Sequence, residues 1–246
     1  MDTRSLVNFL LKTFMIGGIA GLVISFFTKS EEYAIFLSPF DLWEIFGLVI
    51  FFLGLGFTFS VVSMTGFFAY LFIHRFCLSI FKSFWPTVQV LLIAFVLFDL
   101  IYFPYTGTEG INIFWFILMA VALFAFAWIV AWKKAKETNR KAFIPTLFFM
   151  IVITTVEWVP GLQVQGTDYA WLMIAPLLAC NTYQILTLHR INERVAKKKA
   201  KQQAAKKADK KKKKEKAQTA KNGHAAEPKD TKQTAKNTAK NKQKKK

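Results

Sequence analysis

The stretch IFGLVIFFLGLGFTFSVVSMTGFFAYLFI, residues 45–73, contains no charged residue. A helix of 29 residues is about 43 Å long, whereas the hydrocarbon core of a bilayer is roughly 30 Å thick. This stretch therefore predicts a membrane-spanning helix that tilts, bends or protrudes. Gly54 and Gly56 are the positions where we expect it to bend.

Five more stretches have the length and apolarity of membrane-spanning helices, namely residues 6–27, 84–103, 111–132, 142–159 and 169–188. The first ends in Ile24-Ser25-Phe26-Phe27, which is not a signal-peptide cleavage site, so we expect a retained helix. Pro176 should kink the last of them. The fold class predicted for residues 1–190 is an all-α polytopic membrane protein, a bundle of six transmembrane helices.

The charges divide the chain into two parts. Residues 1–190 carry a net charge of +1, and residues 191–246 carry +17. From Ala196 to Lys246 there is no large apolar residue, so this part cannot bury enough surface to offset its chain entropy. We therefore predict a disordered, Lys-rich cytoplasmic tail. It should bind anionic lipid headgroups; nucleic acid, the ribosome and an acidic protein surface are less favoured alternatives.

The basic residues also predict the orientation of the helices. Lys and Arg are plentiful in the N-terminal segment, the second loop, the fourth loop (residues 133–141) and the tail. They are scarce in the first, third and fifth loops. By the positive-inside rule, the N-terminus and the C-terminus are both cytoplasmic, and the protein is a multi-pass protein of the cell membrane.

No sequence motif of a known enzyme class is present, so a non-enzymatic function is expected. Cys77 and Cys180 fall at different predicted depths, which favours packing roles over a disulfide. His74 and His189 both lie at the inner ends of spans, but a metal site would need a third ligand. No metal and no cofactor are therefore expected.

Two acidic residues, Asp99 and Glu157, are the only acids within the predicted spans, and both lie near the outer ends. Ionisable residues inside a membrane are candidates for function. The preferred interpretation is a pair of carboxylates at the membrane interface or of hydrogen-bond acceptors at the helix ends. Two alternatives stay open, namely an ion pair with Lys29, or a site for a ligand, a cation or a proton.

Other polar residues are candidates for interaction. His74 and Arg75 close the second span, where we expect them to cap the helix at the membrane surface. Asn181 and Gln184 lie one turn apart in the sixth span, and buried amides in lipid usually form hydrogen bonds to another helix. That helix belongs either to this protein or to a membrane partner.

Small residues on the first two spans mark faces where helices can approach closely: Gly17, Gly21, Gly56, Ser60, Ser63 and Gly66. Packing inside the protein is favoured over packing against a partner.

Four segments resemble the KinB-signalling pathway activation (KbaA) proteins of spore-forming bacilli: GFFAYLFIHRF (66–76), LIAFVLFD (92–99), VEWVP (156–160) and PLLACNTYQ (176–184). The resemblance extends in the same order over residues 1–190. It implies an integral membrane protein that a sensor histidine kinase needs in order to feed the sporulation phosphorelay. It implies no catalytic or ligand-binding residue.

The leading functional hypothesis is a non-enzymatic membrane regulator that activates a KinB-type sensor histidine kinase by lateral helix packing. One alternative is a small transporter or ligand-binding protein that uses Asp99 and Glu157. A second is a membrane-biogenesis factor whose tail docks on ribosomes.

Overall fold

The computed structural model describes residues 3–37, 41–107, 113–163 and 167–223. Within these ranges the chain forms helices and no strand. The helices are α1 (Thr3–Thr28), α2 (Ser30–Leu37), α3 (Leu42–Phe81), α4 (Trp85–Gly107), α5 (Ile113–Glu137), α6 (Phe143–Phe148), α7 (Thr154–Gln163) and α8 (Thr167–Gly223). A π-helical turn, Phe149–Ile153, joins α6 to α7.

The end of α3 is set by the backbone of Lys82. Its φ of 46° is uncommon for a residue that carries a side chain, and it breaks the helix. The chain then reverses. This is evident from the hydrogen bond that the indole Nε1 of Trp85 donates to His74 Nδ1 at 3.0 Å. Eleven residues of continuous helix would hold these two backbones about 16 Å apart. The helix itself continues through Gly54 and Gly56, where the sequence suggested a bend.

Within the described residues all six predicted spans are helical, but α3 runs on to Phe81 and α8 to Gly223, well past the predicted ends at 73 and 188. Five segments of the described residues are long and apolar enough to cross a membrane, and one of them, Leu42–Tyr102, contains α3 and most of α4. The number of crossings stays a prediction.

The backbones of α1 and α3 approach each other closely through glycines. A Cβ added to Gly21 would lie 2.6 Å from the Cα of Gly56, and one added to Gly56 would lie 2.6 Å from the carbonyl oxygen of Gly17. Ser60 Oγ also reaches across to the Phe14 carbonyl, at 3.2 Å. The small-residue faces of these two helices are therefore used for packing inside the protein.

The interior is lined by aromatic and aliphatic side chains from every long helix of the bundle, with Phe67, Phe149 and Leu177 among the most buried. The outside is also apolar. Along α1 an exposed row repeats every fourth residue, as one face of a helix should: Val7, Leu11, Met15, Ile19 and Val23.

Contacts divide the chain into two units, Met1–Glu193 and Arg194–Lys246. In the second unit α8 continues as a helix to Gly223. The disorder expected for the tail is therefore not confirmed for residues 191–223, where Ala, Lys and Gln supply good helix propensity. Residues 224–246 lie outside the described part of the chain.

Candidate functional site

A buried hydrogen-bonded cluster lies where α3, α7 and α8 meet. Its centre is Asn181 of α8, which is fully buried. The amide nitrogen donates to Glu157 Oε2 at 2.7 Å and to Thr154 Oγ1 at 2.9 Å. The amide oxygen accepts from Ser63 Oγ at 2.7 Å. We call Ser63, Thr154, Glu157, Asn181 and Gln184 the polar cluster.

Gln184 extends the polar cluster by one turn of α8. Its Nε2 donates to Ser63 Oγ at 3.1 Å, so one serine of α3 is held by two amides of α8. The side-chain oxygen of Gln184 is buried and has no hydrogen-bond partner among the described residues. The prediction that Asn181 and Gln184 bond to another helix is confirmed, and that helix belongs to this chain.

Glu157 is 7% exposed, so its side chain is covered by protein. Its depth in a membrane stays a prediction. The sequence placed it near a helix end, but α7 continues past it and α8 covers it. Its Oε2 accepts from Asn181, whereas its Oε1 has no hydrogen-bond partner among the described residues. Lys29, the cation considered for it, forms an ion pair with Glu32 at 3.2 Å.

The observed position of the Glu157 side chain requires the glycine that α3 carries opposite it. A Cβ at Gly66 would overlap Glu157 Oε1. Gly66 and Ser63 lie one turn apart on α3, so the same face of this helix contacts the acid and both amides. The small-residue pattern on α3 therefore accommodates polar side chains as well as close helix packing.

The π-helical turn before α7 directs two polar side chains toward α8. Thr154 follows this turn immediately, and Glu157 lies three residues later on the same face. The Thr154 hydroxyl is 3.5 Å from the Phe149 carbonyl at the start of the turn. Single π turns inside α-helices occur frequently at functional sites. Nothing in the sequence signalled this turn.

Asp99 is separate from this site. It is half-buried on α4 and makes none of the hydrogen bonds of the polar cluster. The sequence predicted that Asp99 and Glu157 lie at a similar depth near the outer ends of their spans. The polar cluster does not connect them.

Cys180 connects the neighbourhood of the polar cluster to α1. It is fully buried, and its thiol lies 3.5 Å from the carbonyl oxygen of Thr13 and 3.7 Å from Ser60 Oγ. Both Cys180 and Cys77 are free thiols, as the sequence predicted.

His74 and Arg75 do not belong to the polar cluster. His74 Nδ1 accepts from Trp85 and lies 3.5 Å from Gln89 Nε2, so the histidine fastens the turn between α3 and α4. Arg75 is exposed. No group of three His, Cys, Asp or Glu residues that could hold a metal ion occurs in the described part of the chain.

A second polar network, which the sequence did not predict, joins the end of α5 to α8. Lys134 is buried and its ammonium group lies 2.7 Å from both the Ile185 carbonyl and His189 Nδ1. Glu137 forms an ion pair with Arg190 at 2.6 Å and lies 3.4 Å from His189 Nε2. In the sequence, this network is indicated only by Glu137, three residues after Lys134, and by the adjacent residues His189 and Arg190.

The polar cluster has two structural consequences. It fixes α7 and α3 to α8 through buried hydrogen bonds. It also presents two buried acceptor oxygens, Glu157 Oε1 and Gln184 Oε1, to any group that donates hydrogen bonds or carries positive charge.

Comparison with known proteins gives a consistent result. The family model described as KinB-signalling pathway activation in sporulation matches residues 17–191. A KinB-signaling pathway activation protein of Bacillus subtilis (strain 168) is 38% identical over 192 residues, covering 76% of this chain and 97% of that protein. No solved structure matches the chain. All residues of the polar cluster lie within the region matched by the family model, and the Lys-rich tail lies beyond it.

Proposed function

Because the chain belongs to the family of KinB-signalling pathway activation proteins, we propose that it is an integral protein of the cell membrane that activates a KinB-type sensor histidine kinase. The family is described by its part in KinB signalling during sporulation. The proposed regulator has no catalytic activity of its own. It packs against the kinase and binds its active state more tightly than its inactive state, which shifts the equilibrium between them.

The distribution of polar and apolar side chains is the observation that carries this proposal. The polar cluster is inside the protein, whereas large apolar side chains such as Leu11, Phe95 and Phe98 are exposed. Water would disfavour a continuous apolar surface of this kind. A bilayer favours it, and it also offers faces to the helices of a membrane partner.

We propose six crossings with both termini in the cytoplasm. The reversal after Lys82 supports separate crossings by α3 and α4, and the Lys and Arg distribution supports the orientation. In a variant that lacks the native cysteines, an impermeant maleimide should label a cysteine at position 44 in intact cells. A cysteine at position 136 should react only after the cells are opened. Labelling of position 136 in intact cells would reject this topology.

Direct action on the kinase can be measured with purified components. The full-length protein and a KinB-type kinase would be placed together in nanodiscs, and kinase autophosphorylation compared with that of the kinase alone. We expect association and faster autophosphorylation. Absence of association together with an unchanged rate would reject direct activation. Cysteines placed on the exposed faces of α1 and α4 would then locate the contact by crosslinking in cells.

The Lys-rich tail is proposed to bind anionic lipid headgroups. Each lysine near such a surface contributes about 1 kcal/mol, so residues 194–246 should be protected from trypsin in anionic nanodiscs and cleaved faster in zwitterionic ones. Equal cleavage rates in the two lipids would contradict this. A variant that ends at Glu193 is the control for ribosome binding, since only the full chain would co-sediment with ribosomes at moderate salt if the tail bound them.

A further inference from the structure

The polar cluster contains more acceptor atoms than donors. Glu157 Oε1 and Gln184 Oε1 are both buried and have no partner among the described residues. Both N–H groups of the Asn181 amide, one N–H of Gln184 and the Ser63 hydroxyl already bond to other members of the cluster. The two unpartnered oxygens lie at the two ends of one hydrogen-bonded chain that runs Glu157–Asn181–Ser63–Gln184.

The cluster also contains an acid without a base. Within the described part of the chain, no Lys, Arg or His forms an ion pair or hydrogen bond with Glu157. The nearby buried cation, Lys134, bonds to the Ile185 carbonyl and to His189 instead. Buried acids are found paired, bound to cations or protonated, because an isolated charge in a medium of low dielectric is very unfavourable.

The backbone around the cluster is shaped to hold the acid in this position. Gly66 provides the space that Glu157 Oε1 occupies, and the π-helical turn Phe149–Ile153 directs Thr154 and Glu157 toward α8. Discontinuities of this kind next to a buried carboxylate are found at ion sites between membrane helices.

We propose that the polar cluster is a binding site for a small cation, which Glu157 neutralises and Gln184 helps to coordinate through its side-chain oxygen. The cation is either an alkali-metal ion coordinated by these oxygens or a proton bound to the Glu157 carboxylate. In both cases it supplies the positive charge that the cluster lacks. Because α3, α7 and α8 all contribute to the cluster, the bound cation stabilises the packing of these helices. The site does not depend on contact with a kinase.

Other titratable groups around Glu157 must be distinguished from it. Cys180 of α8 directly precedes Asn181, whose amide donates to the carboxylate. Tyr70 of α3 bonds to the Pro145 carbonyl, and Asp99 of α4 makes none of the cluster hydrogen bonds. Asp99 is therefore the matched control, since it is another carboxyl group on a helix of the same bundle.

The test is thermal unfolding of the full-length protein in nanodiscs of zwitterionic lipid. Sodium, potassium and choline chloride would be compared at equal ionic strength, and each series repeated from pH 5 to pH 8. A ligand that binds only the folded state raises the midpoint, and each tenfold rise in concentration above Kd should add about 3–6 °C for a domain of this size. The variants are Glu157→Gln, Gln184→Met and the control Asp99→Asn.

The outcomes separate the two cations from each other and from no cation. An alkali-metal ion predicts a higher midpoint in sodium or potassium than in choline, and a proton predicts a midpoint that rises as the pH falls in all three salts. Either dependence should be kept by Asp99→Asn, lost by Glu157→Gln and weakened by Gln184→Met. Equal midpoints in all salts and at every pH, or a dependence that survives Glu157→Gln, would overturn the proposal. Because the wild-type protein alone can give the negative result, the test does not rely on a variant that folds.

Discussion

Replacement of Asn181 by leucine should be one of the most destabilising single changes in the unit Met1–Glu193. The substitution keeps the number and branching of the side-chain heavy atoms but removes all three hydrogen bonds at the centre of the polar cluster. Hydrogen bonds between membrane helices contribute about 0.6 kcal/mol each on average, so the three together amount to roughly 2 kcal/mol. Glu157 would then be buried without any donor, which adds about 1–3 kcal/mol. The expected loss is therefore about 3–5 kcal/mol.

The assay is equilibrium unfolding in mild detergent with increasing SDS, followed by circular dichroism. Gln89→Leu is the matched control. Gln89 is also a fully buried amide, but its side chain makes a single, long hydrogen bond within the described part of the chain, 3.5 Å to His74 Nδ1. It should therefore lose no more than about 1 kcal/mol.

A double-mutant cycle tests whether the loss arises at Glu157. When Glu157 is already glutamine, Asn181→Leu no longer leaves an unpartnered acid, so the two changes should be less than additive by about 1–2 kcal/mol. The reasoning would be refuted if Asn181→Leu were no more destabilising than Gln89→Leu, or if the effects in the cycle were simply additive.

Three further changes test the packing around this site, each by the same unfolding assay. Gly21→Val should lower the free energy of unfolding by about 2–4 kcal/mol, because the facing glycine backbone of α3 cannot move aside. Its control is Gly47→Ala, which has open space around it and should be neutral or stabilise the protein by about 0.5–1 kcal/mol. Gly66→Ala should displace the acid of the polar cluster and cost about 1–3 kcal/mol; an unchanged midpoint would mean that the acid has room to move. Lys134→Met should cost about 1–3 kcal/mol through its two lost hydrogen bonds, and the exposed neighbour Lys133→Met should change stability by less than 0.5 kcal/mol, as surface substitutions usually do.

Apolarity along the chain was enough to predict the helices, because inside a bilayer a backbone can satisfy its polar groups only within a helix or a closed barrel. Residues 45–73 and 169–188 fall within α3 and α8 for this reason. The role of Asn181 and Gln184 followed from the same argument, since an amide in a span must bond to another helix. The sequence could not identify the partner, which depends on the rotation of each helix about its axis.

Glu157 and Lys134 illustrate the opposite case. Their distances along the chain from the helix ends suggested accessible charges, but both are buried. Burial depends on which helix covers each position, and a hydropathy pattern carries no information on this. The π-helical turn is also invisible in the pattern, because one extra residue per turn leaves the apolar composition unchanged.

The sequence by itself determined the helical class, the number of apolar stretches and the concentration of positive charge beyond residue 190, because each follows from a local sum of transfer free energies and charges. Only the tertiary structure decided that Ser63, Glu157 and Asn181 meet, that Asp99 does not join their hydrogen bonds, and that glycines bring α1 and α3 together. These facts depend on contacts between residues up to 118 positions apart. Such contacts are determined by the direction of each side chain and by the way the helices cross, and not by amino-acid composition.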